Sequence, residues 1–254
     1  MNLKNNVYKG IAMCLMLVFS FCCFKVLRYT WQIQMNHKIN ANVKTVIREN
    51  QLTDAAQPAE FTHQSWNELK LINEDFIGYM VFDDGYIEQA VVQGIDNEYY
   101  LQHDFYQMWN LFGSIYIDCE CSADSQNITI YGHNVFFSED EMFSPLVNLL
   151  DPGTFLKYRN FRIYFENEVV SYRIRAVYYY DINEDRDFDY RQHDFNDQEF
   201  TDYIEYVKNH SIICEGLESI AGPNRIVTLQ TCRDLNSSVR ILFLCTEESL
   251  AEYE

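Results

Sequence analysis

The stretch Ile128-Thr129-Ile130-Tyr131-Gly132-His133-Asn134 combines a strand pattern with a chemically useful side chain. Its β-branched and aromatic residues favour an extended strand up to Tyr131. Gly132 then breaks the strand, and His133 follows directly. A second stretch, Thr228-Leu229-Gln230-Thr231-Cys232, is also a strand, and it ends in a cysteine. These stretches predict a β-rich domain in which two strands end at reactive side chains.

Short strands of this kind recur from Gly78 to the end of the chain. Each one mixes β-branched and aromatic residues between turn residues. They are expected at residues 79–82, 87–93, 114–118, 127–131, 161–165, 169–180, 225–231 and 239–245. About eight short strands in roughly 170 residues predict a mainly β fold, either a barrel or a sandwich.

Charge is distributed unevenly along the 254 residues. The whole chain has a net charge of −19, but residues 1–50 carry +6 and the remainder carries −25. An acidic body lacks the basic face that a nucleic-acid backbone requires, which argues against nucleic-acid binding. A basic, apolar N-terminus before an acidic body is typical of a domain tethered to a membrane.

The N-terminal segment contains an unbroken run of apolar and small residues from 10 to 24, extended by Val26 and Leu27. Lysines precede and follow this run. A cleaved signal peptide is the alternative to an anchor, but no small-residue cleavage site follows Arg28. We therefore expect residues 1–9 to be cytoplasmic and residues 10–27 to form an uncleaved transmembrane anchor. The body, from about residue 29, is expected outside the membrane.

Helices are expected on both sides of the first strands. Residues 28–76 are expected to form an N-terminal helical segment, broken at 51–60 by polar residues and Pro58. Its second helix, from about 62 to 73, would begin at a Ser65 cap with Glu68 as the capping-box partner.

An acidic insertion, residues 181–205, interrupts the strands before the cysteine. Its second half predicts a helix that Asn196 caps, with Glu199 three residues later. An apolar stripe follows at i, i+3, i+4 and i+7 spacing, formed by Phe200, Tyr203, Ile204 and Val207. We expect this helix to pack on the β domain with its other face in solvent.

The chain has eight cysteines, and three of them lie in the apolar run. The other five are Cys119, Cys121, Cys214, Cys232 and Cys245. Because five is an odd number, at least one free thiol is expected. A metal site at Cys119-x-Cys121 would need a second ligand pair at zinc spacing, which the sequence lacks.

Three residues together supply the chemistry of covalent acyl transfer. His133 offers an acid or base, Cys232 a nucleophile, and Arg240 a cation eight residues after the cysteine. A papain-like hydrolase conflicts with this order, because that family places its cysteine before its histidine. Alone, each of the three residues would have an ordinary structural explanation.

The chain resembles the class B sortases over roughly residues 30–246. The segment from Ile130 to Asn134, followed by residues 142–146, is similar to the histidine segment of that family. Residues 228–232 are similar to its cysteine segment, and Arg240 stands where its arginine belongs. Asn97, residues 100–101, Asp104 and residues 113–118 also match. The resemblance implies that residues 77–254 form an eight-stranded β-barrel, with N-terminal helices and a helix inserted before the cysteine-bearing strand.

The same resemblance implies a function. Cys232 would cleave a C-terminal sorting signal, forming a thioester that an amino group of a cell-wall peptidoglycan precursor then attacks. His133 would act as the acid and Arg240 would stabilise the oxyanion, and neither a metal nor an organic cofactor is required. Supporting or substrate-binding residues would be Asn134, Thr231 and Asp234, and the enzyme would be a single-pass protein of a Gram-positive-type cell surface. A pilus-assembling sortase, or an inactive membrane-anchored binding or scaffold protein, are the alternatives.

Overall fold

A computed structural model describes residues 2–49, 62–122, 124–136, 138–217, 225–234 and 237–248, with side chains from residue 6 onward. The helices are α1 (Asn2–Glu49), α2 (His63–Ile72), α3 (Ser144–Val147), α4 (Pro152–Tyr158) and α5 (Asp197–His210). The strands are β1 (Phe76–Phe82), β2 (Glu88–Val92), β3 (Ile115–Ile117), β4 (Asn127–Tyr131), β5 (Asn160–Tyr164), β6 (Val169–Asp181), β7 (Ser211–Cys214), β8 (Ile226–Cys232) and β9 (Val239–Glu247). Short 3₁₀ turns lie at Asp83–Gly85, Tyr99–Leu101 and Asn148–Leu150.

Eight strands close into a barrel in the order β5-β1-β2-β3-β4-β8-β9-β6, and the pairing of β5 with β6 completes the ring. The pairs β2–β3 and β4–β8 are parallel, and the other pairs in the ring are antiparallel. β6 is long enough to pair with β5 along its first half and with β7 along its second half. The fold is therefore a mixed barrel rather than a sandwich, and the predicted mainly β class with eight strands in the barrel is confirmed.

Successive side chains of each strand point alternately into the barrel and to its outer face. Ile130 of β4, Leu229 of β8 and Phe243 of β9 are fully buried in one apolar cluster inside the barrel. Burying each of these side chains contributes about 1.5–3 kcal/mol. Their chain neighbours Tyr131 and Leu242 belong to a second cluster on the outer face, which residues of α1, α2 and α5 cover. Outer-face side chains that these helices do not cover are accessible to solvent.

One long helix, α1, contains both the predicted anchor and the first part of the predicted N-terminal helical segment. Its residues 10–22 expose nearly every side chain, whereas Gln32, Asn36, Ile39, Val43 and Ile47 are buried at helical spacing against the body. His37 Nδ1 lies 2.7 Å from Glu141 Oε1, and Asn36 donates a hydrogen bond to the same carboxylate. The packing of α1 against the body thus begins near Tyr29, which is half-buried, and Gln32 is its first buried residue.

The predicted Ser65 cap of the second helix is wrong. α2 begins at His63, and the hydroxyl oxygen of Thr62 accepts a hydrogen bond from the backbone N–H of Ser65 at 3.1 Å. The cap lies three residues earlier because Ser65 is itself buried, with its hydroxyl 3.5 Å from the Ile47 carbonyl of α1. The break expected at 51–60 lies outside the described residues.

The inserted helix is confirmed in detail. Asn196 caps α5, and Glu199 completes the capping box. The four residues of the apolar stripe are all buried: Phe200, Tyr203, Ile204 and Val207. The sequence did not indicate α3, α4 or β7, since elements of four to seven residues are too short to show a period.

Candidate active site

Three neighbouring strands bring the predicted catalytic residues to one place. β4 and β8 run parallel with Tyr131 beside Gln230, and the N–H of Gly132 donates to the Gln230 carbonyl at 3.1 Å. His133 and Cys232 each follow this last pair by two residues, so both lie at the same end of the two strands. β9 runs antiparallel to β8, and Arg240 is the direct partner of Cys232. All three residues share the parity of the outer face and are half-buried.

His133 is held by the turn that follows β2. Its Nε2 lies 2.9 Å from the carbonyl oxygen of Leu101. Since a carbonyl oxygen only accepts, Nε2 carries a hydrogen while this bond lasts, and the ring exchanges its proton at Nδ1. Desolvation lowers the pKa of His133, the Leu101 carbonyl partly offsets this, and the charge of Arg240 lowers it further. The histidine therefore favours its neutral form near pH 7.

A segment after the histidine fixes the backbone at this point. Phe143 donates its N–H to the His133 carbonyl at 3.0 Å, and Asn134 and Met142 form an isolated β-bridge. A Cβ on Gly132 would lie 2.5 Å from the Phe143 ring, so only glycine lets the buried ring pack there. This contact gives a physical reason for the stretch 142–146 that the sequence showed only as a resemblance.

Arg240 lies at the start of β9 on the far side of the cysteine. Its Nη1 donates to the Ser237 carbonyl at 2.8 Å, which anchors one side of the guanidinium. A guanidinium has five N–H donors in a planar fork, so one edge can be held while another faces a ligand. The arrangement suits stabilisation of an oxyanion that forms beside Cys232.

Cys232 is half-buried and carries a free thiol. Burial raises the pKa of Cys119, raises that of Cys121 to about 11, and raises that of the fully buried Cys245. A thiol with a raised pKa is a poor nucleophile at neutral pH. Their environments therefore argue against Cys119, Cys121 and Cys245 as the nucleophile, and the position beside a histidine and an arginine favours Cys232.

The predicted supporting residues fare differently. Asn134 connects the histidine segment to the cysteine strand, because its Nδ2 donates to the Cys232 carbonyl at 3.1 Å. Thr231 points into the barrel, where it is fully buried and its hydroxyl has no hydrogen-bond partner among the described residues. Asp234 is exposed, and its carboxylate binds its neighbour Arg233 at 2.6 Å. Among the three, the contact to the cysteine strand is made by Asn134, and the supporting roles of all three stay predictions.

Leu101 and Gly113 lie in stretches that resemble the class B sortases, but no role was predicted for either residue. Gly113 has a φ of +56°, and a Cβ there would lie 2.3 Å from the Tyr100 oxygen and 2.7 Å from the Leu101 oxygen. Ser114 also donates its N–H to Tyr100 at 3.0 Å. Glycine is thus required for the close approach that positions the histidine's acceptor. No side-chain pattern could have revealed a backbone carbonyl, although a positive φ is a conformation that glycine adopts readily.

One group of possible metal ligands lies among the described residues, and it is interleaved with Cys119 and Cys121. Asp118, Glu120 and His193 place ligand atoms within 4.8 Å of one another. The Asp118 carboxylate already accepts hydrogen bonds from the Tyr131 hydroxyl and the Glu120 N–H. The Nδ1 atom of His193 lies 3.2 Å from Cys121 Sγ. These contacts account for the cluster as a structural network.

Comparison with known proteins gives a consistent picture. The chain is 26% identical over 235 residues to Sortase B of Listeria monocytogenes, which covers 91% of this chain and 92% of the relative. It is 28% identical over 181 residues to Sortase B of Staphylococcus aureus, covering 70% and 71% of the two chains. The solved structure of sortase B from Bacillus anthracis in complex with AAEK1 superimposes with a TM-score of 0.72 at 22% identity, covering 86% of this chain and 98% of that one. No family model matches the sequence.

Proposed function

Since this chain belongs to the class B sortases, which are cysteine transpeptidases, we propose that it joins surface proteins to the cell wall from a membrane anchor. Cys232 would cleave the sorting signal at the carboxyl side of a threonine and transfer the new acyl group to an amine of a peptidoglycan precursor. The observation that carries the proposal is the convergence of three residues at one end of neighbouring strands. His133 lies two residues beyond the end of β4, Cys232 ends the parallel strand β8, and Arg240 of β9 is the direct partner of Cys232.

The first half of the reaction forms a thioester. The Cys232 thiolate attacks the threonine carbonyl, and the tetrahedral oxyanion lies against the free edge of Arg240. When this intermediate collapses, the C–N bond breaks and the leaving amine takes a proton from the His133 imidazolium. The second half reverses these roles. The incoming amine attacks the thioester and gives its proton to neutral His133, and Cys232 leaves as a thiolate.

The electrostatics around His133 favour the second half of the reaction. Desolvation and Arg240 lower its pKa, so the neutral ring that accepts a proton from the incoming amine predominates at neutral pH. The thiolate–imidazolium pair that starts the reaction is then a minor form at neutral pH. Catalysis would rely on this fraction together with Arg240, and turnover would be modest.

The anchor would be the first part of α1. This helix contains an 18-residue window of mean hydropathy 2.3 that is wholly exposed, which suffices by length and composition to cross a membrane. Residues 10–27 would span the bilayer, with 1–9 in the cytoplasm and the catalytic body outside. Protease treatment of intact protoplasts should remove the body, and a protected C-terminal body would contradict this topology.

A trapped acyl-enzyme tests the catalytic proposal. The full-length protein would be mixed with peptides of the NPxTx, SPxTx and LPxTx types, and intact-mass analysis would detect the thioester adduct. Cys232→Ala should show no adduct, whereas the matched control Cys214→Ser, at an exposed thiol on β7, should keep it. Absence of an adduct with all peptides would favour the scaffold alternative, and an adduct on Cys232→Ala would overturn the choice of nucleophile.

A further inference from the structure

An apolar patch lies next to the point where α1 joins the body. We name it the juxtamembrane patch and define it by Trp31, Met108, Trp109 and Leu111, which are 62%, 66%, 49% and 40% exposed. Solvent exposure of large apolar side chains that lie close together marks an interaction site. The stretch 105–117 contains no charged residue, although the rest of the body is strongly acidic.

The loop that carries three of these residues is fixed against α1. The Arg28 guanidinium lies over the Trp109 ring, 5.0 Å from its centroid. The rings of Tyr29 and Phe112 meet edge to face at 5.3 Å, and Asn110 Nδ2 donates to the Asn36 side chain at 3.3 Å. The loop therefore has a set height along α1, level with its residues 28–36.

That height corresponds to the edge of a bilayer. The 18 residues of the proposed anchor are about 27 Å long as a helix. The hydrocarbon core is about 30 Å thick, so α1 leaves it close to Arg28 without room for a large tilt. Arg28 is then at the level of the lipid phosphates, which it can bind, and Trp109 lies against it.

We propose that the juxtamembrane patch is immersed in the headgroup region of the outer leaflet and holds the body against the membrane. The proposal rests on the proposed anchoring by residues 10–27. Tryptophan prefers this interface because its ring is apolar and its N–H is polar. Asn110 N–H also donates to the Gln102 carbonyl at 2.9 Å, next to Leu101, so the patch and the acceptor of His133 belong to one connected loop. The catalytic histidine is thereby kept at a fixed distance from the bilayer.

Fluorescence quenching in vesicles tests this proposal with the full-length protein. Vesicles of phosphatidylglycerol and phosphatidylcholine would carry bromine at shallow acyl positions, and the emission of Trp109 would be obtained as the difference between wild type and Trp109→Phe. We expect the brominated lipid to remove most of this emission. Met108→Trp in the Trp109→Phe background gives a second reporter in the patch and should be quenched similarly.

A matched control places the reporter far from the membrane. Leu156 is an apolar residue of α4 that is 56% exposed. α4 packs against the Asp83–Gly85 turn, and Glu88, shortly after that turn, pairs with Lys44 near the other end of α1. Sixteen residues of helix separate Lys44 from Arg28, a distance of about 24 Å. The emission of Leu156→Trp, obtained as the difference between the double variant and Trp109→Phe alone, should therefore persist in brominated vesicles.

Flotation of the same samples separates the two proposals. If the protein floats with the vesicles but both patch reporters are insensitive to bromine, the patch proposal is wrong and the anchor stands. If the protein does not float, anchoring fails and the patch proposal fails with it. A blue-shifted Trp109 emission that bromine does not affect would assign the patch to a protein contact and would equally overturn the proposal.

Discussion

Gly113→Ala should damage catalysis although the residue is far from the reacting atoms along the chain. An added Cβ would lie 2.3 Å from the Tyr100 oxygen and 2.7 Å from the Leu101 oxygen. Ordinary C···O contacts are about 3.3–3.6 Å, so this backbone must retreat by about 1 Å. The Leu101–His133 hydrogen bond, now 2.9 Å, would then exceed hydrogen-bond length.

Two measurable effects follow from this displacement. A misplacement of about 1 Å in a catalytic group can lower kcat/KM by about 100-fold. The Leu101 carbonyl raises the pKa of His133, so its loss lowers that pKa further. The acid limb of the pH profile of kcat/KM reports the lower of the two catalytic pKa values. Where that value is the pKa of the histidine, the acid limb should move to lower pH. The alanine also carries a left-handed φ, which costs about 1–2 kcal/mol of stability.

The assay is the pH dependence of transpeptidation, with circular dichroism to show that the variant is folded. Gly153→Ala is the matched control, since its Cβ would meet only the Asp151 carboxylate, at 3.2 Å, and it lies in α4. A folded Gly113→Ala enzyme with the wild-type rate and the wild-type acid limb would refute the reasoning.

Three further outcomes are expected. Arg240→Lys should lower kcat/KM at least about tenfold, because an ammonium lacks the planar fork that holds the Ser237 carbonyl and an oxyanion together; steady-state kinetics with wild-type turnover would contradict this. Thr231→Val should keep activity and alter the free energy of unfolding by less than about 1 kcal/mol, because its buried hydroxyl makes no hydrogen bond among the described residues; a folded but inactive variant would restore Thr231 as a site residue. Burial raises the pKa of Glu141 to about 7, and His37 opposes this. A raised carboxyl pKa gives stability that is present below about pH 4.5 and is lost as pH rises through about 7. The stability of Glu141→Gln relative to wild type should therefore increase by about 1–3 kcal/mol between pH 5 and pH 8 in urea unfolding, and a pH-independent difference would show that the wild-type carboxylate is ionised throughout.

Local patterns in the sequence predicted most elements of the fold. The strand from Asn127 to Tyr131 was predicted with its observed bounds, because β-branched residues end at Gly132. The capping box and apolar stripe of α5 were predicted residue by residue, since both depend on spacing within one helix. The cap of α2 was misplaced because Ser65 is drawn into a contact with α1, an element distant along the chain.

For the site, the sequence supplied three residue types and a family resemblance, and the tertiary structure supplied their arrangement. Periodicity does not specify which strands pair, so it did not distinguish a barrel from a sandwich. The parallel register of β4 with β8 brings His133 and Cys232 to the same end of the two strands. Adjacent residues of a strand point to opposite faces, and in the closed barrel Thr231 points inward and Cys232 outward. The sequence does not show which of the two points inward until the strand register is known. The Leu101 acceptor of His133 was invisible for a different reason. Every residue has a carbonyl, and only long-range packing through Gly113 selects the one that a catalytic side chain meets.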